Sequence, residues 1–312
     1  MDKQFFVNNR KKLADRLEEG SLTILFAGAA PHRSADEDYH FVPNRNFYYL
    51  TGIERPNIIF AMKKVDGKTE DMLFIEENDP VMAKWVGAKM SDEEAKAASG
   101  IEQISLLDQF KANVHKAIQG EGVERIYLNL ELPEWDAALK PAHKFAKELQ
   151  EKYPFVTIGN VYNDICQLRL IKESEEVENI QKAIDITQEG IENIMKNAEP
   201  GKMEYELEAY FNFTLNTHGV REHAFPTIAA AGKNATILHY IENRNRVEDG
   251  DLVLFDLGAS YEYYSADLTR TFPVNGKFSE RQKQFYNIVL KALKETTEMI
   301  KPGLDFAELN KH

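Results

Sequence analysis

Two kinds of hydrophobic pattern alternate along the first half of the chain. Short apolar runs predict strands at 22–27, 58–62, 71–75, 126–130 and 155–158. The aromatic run NFYYLTG also favours a strand, ending at a turn glycine. Helices are predicted near 5–19, from 79 onward, near 106–118 and near 134–152. Strands that alternate with helices in this way indicate an α/β domain.

The second half begins with helical spacing instead. Apolar residues after Ser174 predict a helix that stops at Pro200 and Gly201, and a second helix follows over 204–218. Two-stranded β structure is expected within 224–272, and Ser279 with Gln282 forms a capping box for a third helix. We therefore expect an α/β domain over 1–170 and an α+β domain over 171–312.

Composition narrows the classes of function. The chain has 43% hydrophobic residues, enough for sizeable cores, and a formal charge of −13, which argues against binding to nucleic acid or anionic membranes. No segment has the length and apolarity of a membrane span or a signal peptide. A single cysteine excludes an internal disulfide and favours a cytoplasmic location.

Candidate chemistry lies in the segment LVLFDLGASYEYYSADLTRTF, which carries Asp256 and Asp267. A hairpin with its turn centred on Tyr261 and Glu262 would set the two aspartates directly opposite each other, with Cβ atoms roughly 4.5–5.5 Å apart. Carboxylates that close repel unless a cation or a proton joins them, so the pattern predicts a metal site. The alternative is that both are solvated residues at a strand end or turn.

Neighbouring residues fit the same hypothesis. The same register opposes Gly258 to Ser265, whose small size leaves room beside the carboxylates, and Thr269 could orient a metal ligand. His239 lies seventeen residues before Asp256 and could move protons near neutral pH. A histidine at a strand end, with its hydrogen bonds satisfied, is the alternative for His239.

The motifs that carry a family resemblance span nearly the whole chain. The segments AFPTIAAAGKNATILHYIENR and GDLVLFDLGASYEYYSADLTRTFPVNGKFS closely resemble the Xaa-Pro aminopeptidases (aminopeptidase P) and their prolidase relatives. HRSADEDYHFVPNRNFYYLTG and AKWVGAKM resemble the N-terminal domain of the same family. The resemblance implies a creatinase/prolidase-like N-terminal α/β domain followed by a pita-bread catalytic domain of α+β type.

The resemblance also implies roles for individual residues. Asp256 is similar to the carboxylate that chelates one of two metal ions, usually Mn²⁺, and Asp267 to the carboxylate that bridges both. His239 is similar to the histidine that binds substrate or handles its protons. Asp36 and Trp85 lie in the N-terminal motifs and would contribute to substrate binding, in a domain that reaches a neighbouring subunit in related enzymes. Their alternatives are a turn aspartate and a core tryptophan.

The chain departs from the family pattern after Asp267. The family also needs a histidine and two glutamates as ligands, and nothing in 277–312 fits them, since Glu295 and Glu298 fall on a solvated helix. We expect the pita-bread domain to be incomplete at its C-terminus, either as a fragment or as a naturally short form. We therefore expect the 312-residue chain alone to be inactive.

The expected activity is hydrolysis of the bond between an N-terminal residue and a following proline by water activated between two metal ions. The expected partners are peptides with proline in second position and a homodimer or higher homo-oligomer. Prolidase activity on Xaa-Pro dipeptides is the nearest alternative. A metal-free creatinase-like hydrolase disagrees with the retained aspartates. A non-catalytic peptide-binding pita-bread module is a further alternative of a different class.

Overall fold

The computed structural model describes residues 1–311. The chain forms two compact units, Met1–Glu175 and Glu176–His312. The division falls in the first turn of a long helix that begins at Ser174. The predicted boundary at residue 170, which would separate two domains with different roles, stays a prediction. No helix within the described range is long and apolar enough to cross a membrane.

The first unit alternates helices with strands. In chain order its elements are α1 (Lys3–Ala14), β1 (Ser21–Phe26), β2 (His32–Ser34), β3 (Glu37–Asp38), α2 (Arg45–Thr51), β4 (Ile59–Val65), β5 (Lys68–Ile75), α3 (Ala83–Val86), α4 (Asp92–Ser99), β6 (Gln103–Leu106), α5 (Phe110–Gly120), β7 (Arg125–Leu128), α6 (Pro141–Lys152), β8 (Thr157–Asn160) and α7 (Tyr162–Leu170), with a 3₁₀ turn at Leu107–Gln109. The sequence pattern did not predict α4, β6 or α7.

A six-stranded mixed sheet organises this unit, in the order β6-β5-β4-β1-β7-β8. The central pairs β1–β4 and β4–β5 are antiparallel, and the outer pairs are parallel. Apolar side chains of the sheet, α5 and α6 form the core. Within it the ring of Phe110 lies 5.2 Å from the rings of both Phe74 and Phe145. Burial of these faces explains the apolar runs from which the strands were predicted.

The segment NFYYLTG is a helix, α2, so the predicted strand is wrong. The side chain of Asn44 accepts two backbone N–H groups of the first turn, and Gly52 ends the helix at φ 68°. Tyr49 is buried and meets Phe5 of α1 edge to face, with ring centroids 5.8 Å apart. Capping at both ends and packing on α1 outweigh the strand preference of the aromatic residues.

Several predicted boundaries are also corrected. The first helix ends at Ala14 rather than near 19, and the helix expected from 134 begins only at Pro141. The helix expected after Asp79 is a single turn, α3, although the carboxylate of Asp79 does accept the N–H of Val81. Helix ends are set by caps and tertiary contacts, which apolar spacing does not reveal.

The second unit consists of helices, a small sheet and a narrow ribbon. Its elements are α8 (Ser174–Asn197), α9 (Glu204–Thr217), β9 (Ile228–Ala231), a 3₁₀ helix (Gly232–Thr236), β10 (Leu252–Leu257), β11 (Ser260–Tyr261), β12 (Tyr264–Ser265), β13 (Leu268–Pro273), α10 (Glu280–Met299) and α11 (Phe306–Lys311). The sheet has three strands in the order β13-β10-β9, where the sequence predicted two.

The two faces of the β13-β10-β9 sheet differ. Val253, Phe255 and Leu257 of β10 are fully buried in the core that includes residues of α8 and α9. Leu254 and Asp256 alternate with them and are only partly buried. Because strand side chains alternate between faces, Asp256 lies on the face opposite this helical core. The predicted capping box of Ser279 and Gln282 at the start of α10 is confirmed.

Candidate metal centre

Asp256 and Asp267 lie on the two strands of one hairpin, but not directly opposite each other. In the β10–β13 ladder Asp256 pairs with Thr269, and Leu257 pairs with Leu268. Asp267 immediately precedes β13 and is exposed. The aspartates are therefore diagonal neighbours on the same face, a separation that side chains still bridge.

The turn explains why the expected register is wrong: its centre lies one residue later than predicted, so Asp256 pairs with Thr269, two residues beyond Asp267. Tyr261 pairs with Tyr264, so the turn residues are Glu262 and Tyr263, at φ 48° and 64°. Two consecutive positive φ angles are those of a type I′ turn, which usually carries asparagine or glycine. Neither residue type is present here to mark the position. The predicted pairing of Gly258 with Ser265 is wrong for the same reason, since Ser265 pairs with Ser260.

Gly258 has a different role from the one predicted. A Cβ atom at this position would stand 1.8 Å from the carbonyl oxygen of Ala266. Only glycine permits the two backbones to approach so closely. The N–H of Ala266 donates to the carbonyl of Ala259 over 3.0 Å and fixes the approach. Gly258 thus lets Ala266, the residue before Asp267, lie against the backbone just after β10, two residues beyond Asp256.

The two carboxyl groups influence each other. Desolvation raises the pKa of Asp267 first, and the charge of Asp256 and a hydrogen bond with its carboxyl raise it further. The hydroxyl of Thr269 donates to Oδ1 of Asp256 over 2.8 Å. Neighbouring carboxylates without a bound cation favour the protonated form of one member, which the raised pKa of Asp267 expresses.

His239 lies near the same face of the sheet, in an exposed turn rather than at a strand end. The adjacent Tyr240 is buried in a small cluster with Ile228 and Ala230, and Leu254 packs against it. Ile228 pairs directly with Asp256, and Leu254 precedes Asp256 by two residues on its face. The turn that carries His239 is therefore packed against the Asp256 face of the sheet.

Sequence reasoning missed the residues that hold this turn. The carboxylate of Glu204 is fully buried and accepts a hydrogen bond from the hydroxyl of Tyr240 over 2.7 Å. Glu204 stands 36 positions before Tyr240, and from the sequence it marked only the start of the helix predicted over 204–218. No local signal identified this contact.

Asp36 and Trp85 both lie at the surface of the first unit. Asp36 is in the two-residue turn between β2 and β3, as its alternative interpretation proposed. Trp85 is on α3 and is 82% exposed, so the alternative of a core tryptophan is wrong. Their contribution to a substrate site stays a prediction.

The oxygen atoms at this site could supply part of the coordination that a divalent cation needs. Asp256 and Asp267 offer hard carboxylate oxygens on one face, and Thr269 orients one of them, as metal-binding carboxylates require. Within residues 1–311, no group of three or more histidine, cysteine, aspartate or glutamate side chains is gathered as a metal site would need. The described residues therefore offer two candidate ligands.

Comparison with known families covers both units. A profile of metallopeptidase family M24 matches residues 178–312, and a profile of the aminopeptidase P N-terminal domain matches residues 6–127. The chain is 30% identical to the Xaa-Pro aminopeptidase of Escherichia coli K12 over 316 residues, which cover 99% of this chain and 70% of that protein.

Solved structures agree with these matches. A candidate aminopeptidase P from Bacillus anthracis is 55% identical with a TM-score of 0.98, over 100% of this chain and 74% of that one. Zn-substituted aminopeptidase P from E. coli in complex with product is 29% identical with a TM-score of 0.90, over 99% and 71%.

Fold and family match together define the class, a pita-bread metallopeptidase with an α/β N-terminal domain. Within that class the chain belongs to the aminopeptidase P family of metal-dependent aminopeptidases. Membership of family M24 implies divalent metal ions as cofactors and peptides as substrates.

Proposed function

We propose that this chain provides part of the catalytic centre of an aminopeptidase that hydrolyses the bond between an N-terminal residue and a following proline. The observation that carries the proposal is that Asp256 and Asp267 are diagonal neighbours on one sheet face, with the hydroxyl of Thr269 bonded to Asp256. It is supported by the alignment of 99% of the chain with the E. coli Xaa-Pro aminopeptidase.

Two divalent ions, which we propose to be Mn²⁺, would be held here together with further ligands. When bound, such ions lower the pKa of water and polarise a peptide carbonyl. Asp256 would chelate one ion and Asp267 would bridge both. Thr269 would hold the carboxylate of Asp256 in one rotation through its hydrogen bond.

His239 would act on the substrate rather than on the metal. Its side chain is exposed, so a peptide could reach it, and its turn packs beside the Asp256 face. An imidazole titrates near neutral pH and can donate a proton to a leaving nitrogen or accept one from the peptide. We propose that His239 binds the peptide and moves this proton.

A chimera tests the function directly. The part of the Bacillus anthracis protein that lies beyond the region matched here, which covers 74% of it, would be joined to this chain. With Mn²⁺ added, the chimera should release the first residue from an Xaa-Pro-Xaa tripeptide. D256N and D267N chimeras should lose activity, and a D136N chimera, altered at an exposed loop residue, should keep it.

The substrates separate the possible outcomes. Cleavage of tripeptides and longer peptides supports the aminopeptidase, whereas cleavage of Xaa-Pro dipeptides alone would make the enzyme a prolidase. H239Q should lower kcat by about 10²–10⁴-fold, as removal of a general acid or base does, and leave Mn²⁺ binding unchanged. A folded chimera that binds Mn²⁺ and cleaves neither peptide would overturn the proposal.

The 312-residue polypeptide by itself should not turn over peptide. Within the described residues only two carboxylates meet at the centre, and two carboxylates with water hold a divalent ion weakly. An assay of the isolated polypeptide on an Xaa-Pro-Xaa peptide with excess Mn²⁺ checks this. Turnover that is lost in D256N would contradict it.

We also propose that the protein is a cytoplasmic homo-oligomer in which Asp36 and Trp85 contribute to peptide binding. The support is the exposure of Trp85 on α3, beside the exposed apolar side chains of Met82 and Val86. Light scattering of wild type and W85A gives the oligomeric state. A monomeric wild type, or an unchanged KM in the W85A chimera, would exclude this part of the proposal.

A further inference from the structure

The carboxylate of Glu204 is an unusually well-connected buried charge. Its Oε1 accepts the N–H of Ala231 over 2.8 Å and the amide of Asn234 over 2.9 Å. Its Oε2 accepts the hydroxyl of Tyr240 over 2.7 Å and the N–H of Asn245 over 2.9 Å. All four donors belong to the segment 231–245, which contains His239.

These contacts satisfy a group that is otherwise costly to bury. Glu204 is 0% exposed, and a buried carboxylate is tolerated only when its lone pairs are occupied. It is the first residue of α9, where the helix dipole favours negative charge. Because the donors are spread over the whole segment, ordering the carboxylate also orders the segment.

A second acidic residue acts one helical turn later. Glu208 accepts the side-chain amide of Asn243 over 2.9 Å, and Asn243 also donates to the carbonyl of Thr227. Asn243 is buried with φ at 48°, a conformation that side-chain hydrogen bonds help to hold. Residues 231–245 are therefore tied to α9 at several points on both sides of His239.

Tyr240 links the carboxylate of Glu204 to the β13-β10-β9 sheet. Its ring packs with Ile228 and Leu254 beside Asp256, while its hydroxyl reaches Glu204. His239 precedes Tyr240 directly in the chain, so the backbone that Tyr240 anchors determines where the exposed imidazole begins. A tyrosine held at both ends restrains the backbone of the preceding residue, from which the imidazole projects.

We propose that Glu204, acting through Tyr240, is the positioning residue for His239. It would fix the turn from which the imidazole reaches the substrate, without touching substrate or metal. The inference deepens the proposed function, because it rests on the role of His239 there. A merely structural Glu204 would affect stability and leave the environment of His239 unchanged.

Nuclear magnetic resonance of the 312-residue chain separates these cases. The imidazole signals of His239 would be assigned with H239Q, and those of His115 and His218 serve as internal references. Y240F removes the hydroxyl and keeps the ring. Its matched control is Y210F, which removes a tyrosine hydroxyl on α9 that bonds Lys202 outside the segment. E204Q is compared with E206Q on the same helix.

We expect Y240F and E204Q to shift and broaden the His239 signals alone, with both controls unchanged. In E204Q the amide of Asn245 should exchange about tenfold faster, as the loss of one hydrogen bond predicts. Unchanged His239 signals in Y240F, even with lowered stability, would overturn the proposal. If E204Q does not fold, Y240F decides alone. This experiment does not measure peptidase activity. Its outcome can therefore be distinguished from a failure of the proposed peptidase function.

Discussion

Thr269 and Asp256 are direct cross-strand partners whose side chains also bond each other, with the threonine hydroxyl donating to Oδ1 over 2.8 Å. The bond takes one lone pair and limits rotation of the carboxylate. The remaining lone pairs stay open, so a cation that bound there would meet a carboxylate whose orientation is already set.

We predict that T269V weakens Mn²⁺ binding by about 10–100-fold, as loss of an orienting hydrogen bond to a ligand commonly does. Valine keeps the branched shape of the strand residue and removes only the donor. Isothermal titration of the chimera with Mn²⁺ measures the change. T269S retains the hydroxyl and should bind like wild type, and equal affinity in T269V would show that the bond is dispensable.

G258A should strongly destabilise the second unit. The added Cβ would stand 1.8 Å from a backbone carbonyl oxygen, so the two strands must separate. Overpacking costs about 1–3 kcal/mol in cores where side chains can yield, and here a backbone must move. Urea denaturation followed by circular dichroism gives the free energy of unfolding.

The matched control for this change is G120A. Gly120 ends α5 at a negative φ, and nothing lies within 4 Å of a Cβ added there. Alanine at such a position is neutral or slightly stabilising. If G258A and G120A unfold at the same urea concentration, the close approach at Gly258 has no energetic importance.

The stability of the chain should fall in mild acid because of His223. Burial lowers the pKa of His223 below its usual 6.5, although Glu208 and Glu222 oppose the shift. Between the lowered value and 6.5 the unfolded chain binds more protons than the folded one, so the free energy of unfolding falls as pH falls through this window. Above the window His223 is neutral in both states and has no effect.

Unfolding of wild type and H223Q at pH 7.5 and 5.5 measures this contribution. Wild type should lose more stability on acidification than H223Q. Equal losses in wild type and H223Q would contradict the prediction. An NMR titration of the His223 imidazole also measures how many protons this side chain binds at each pH in the folded chain.

N44A should reduce the free energy of unfolding of the first unit by about 0.5–2 kcal/mol, the usual value of an N-cap. The side chain of Asn44 accepts two N–H groups of α2, and it also accepts a hydrogen bond from Asn129. N44D keeps the acceptor and should stay close to wild type. An N44A variant as stable as N44D would mean that packing alone fixes α2.

The sequence was sufficient where the signal was local. Apolar runs located the main strands, and the capping box of Ser279 and Gln282 located α10. The aspartate pair was found from its apolar flanks and spacing. These features depend on residues within a few positions of one another.

What escaped prediction depends on distant partners. The segment NFYYLTG has strand-forming residues, and packing against α1 together with capping at both ends makes it helical. The donors to Glu204 lie 27 to 41 positions away, so no window of ordinary length contains them. The register was missed because positive φ angles fell on Glu262 and Tyr263 instead of glycine.

The register of the β10–β13 hairpin has a consequence for chain length. Side chains alternate between faces, so an insertion of one residue within the paired strands between Asp256 and Asp267 would turn one carboxylate toward the helical core. An insertion at the turn of Glu262 and Tyr263 would instead lengthen the loop and keep both carboxylates on one face. The paired strands therefore tolerate changes of length only in even steps, whereas the turn between them can vary freely.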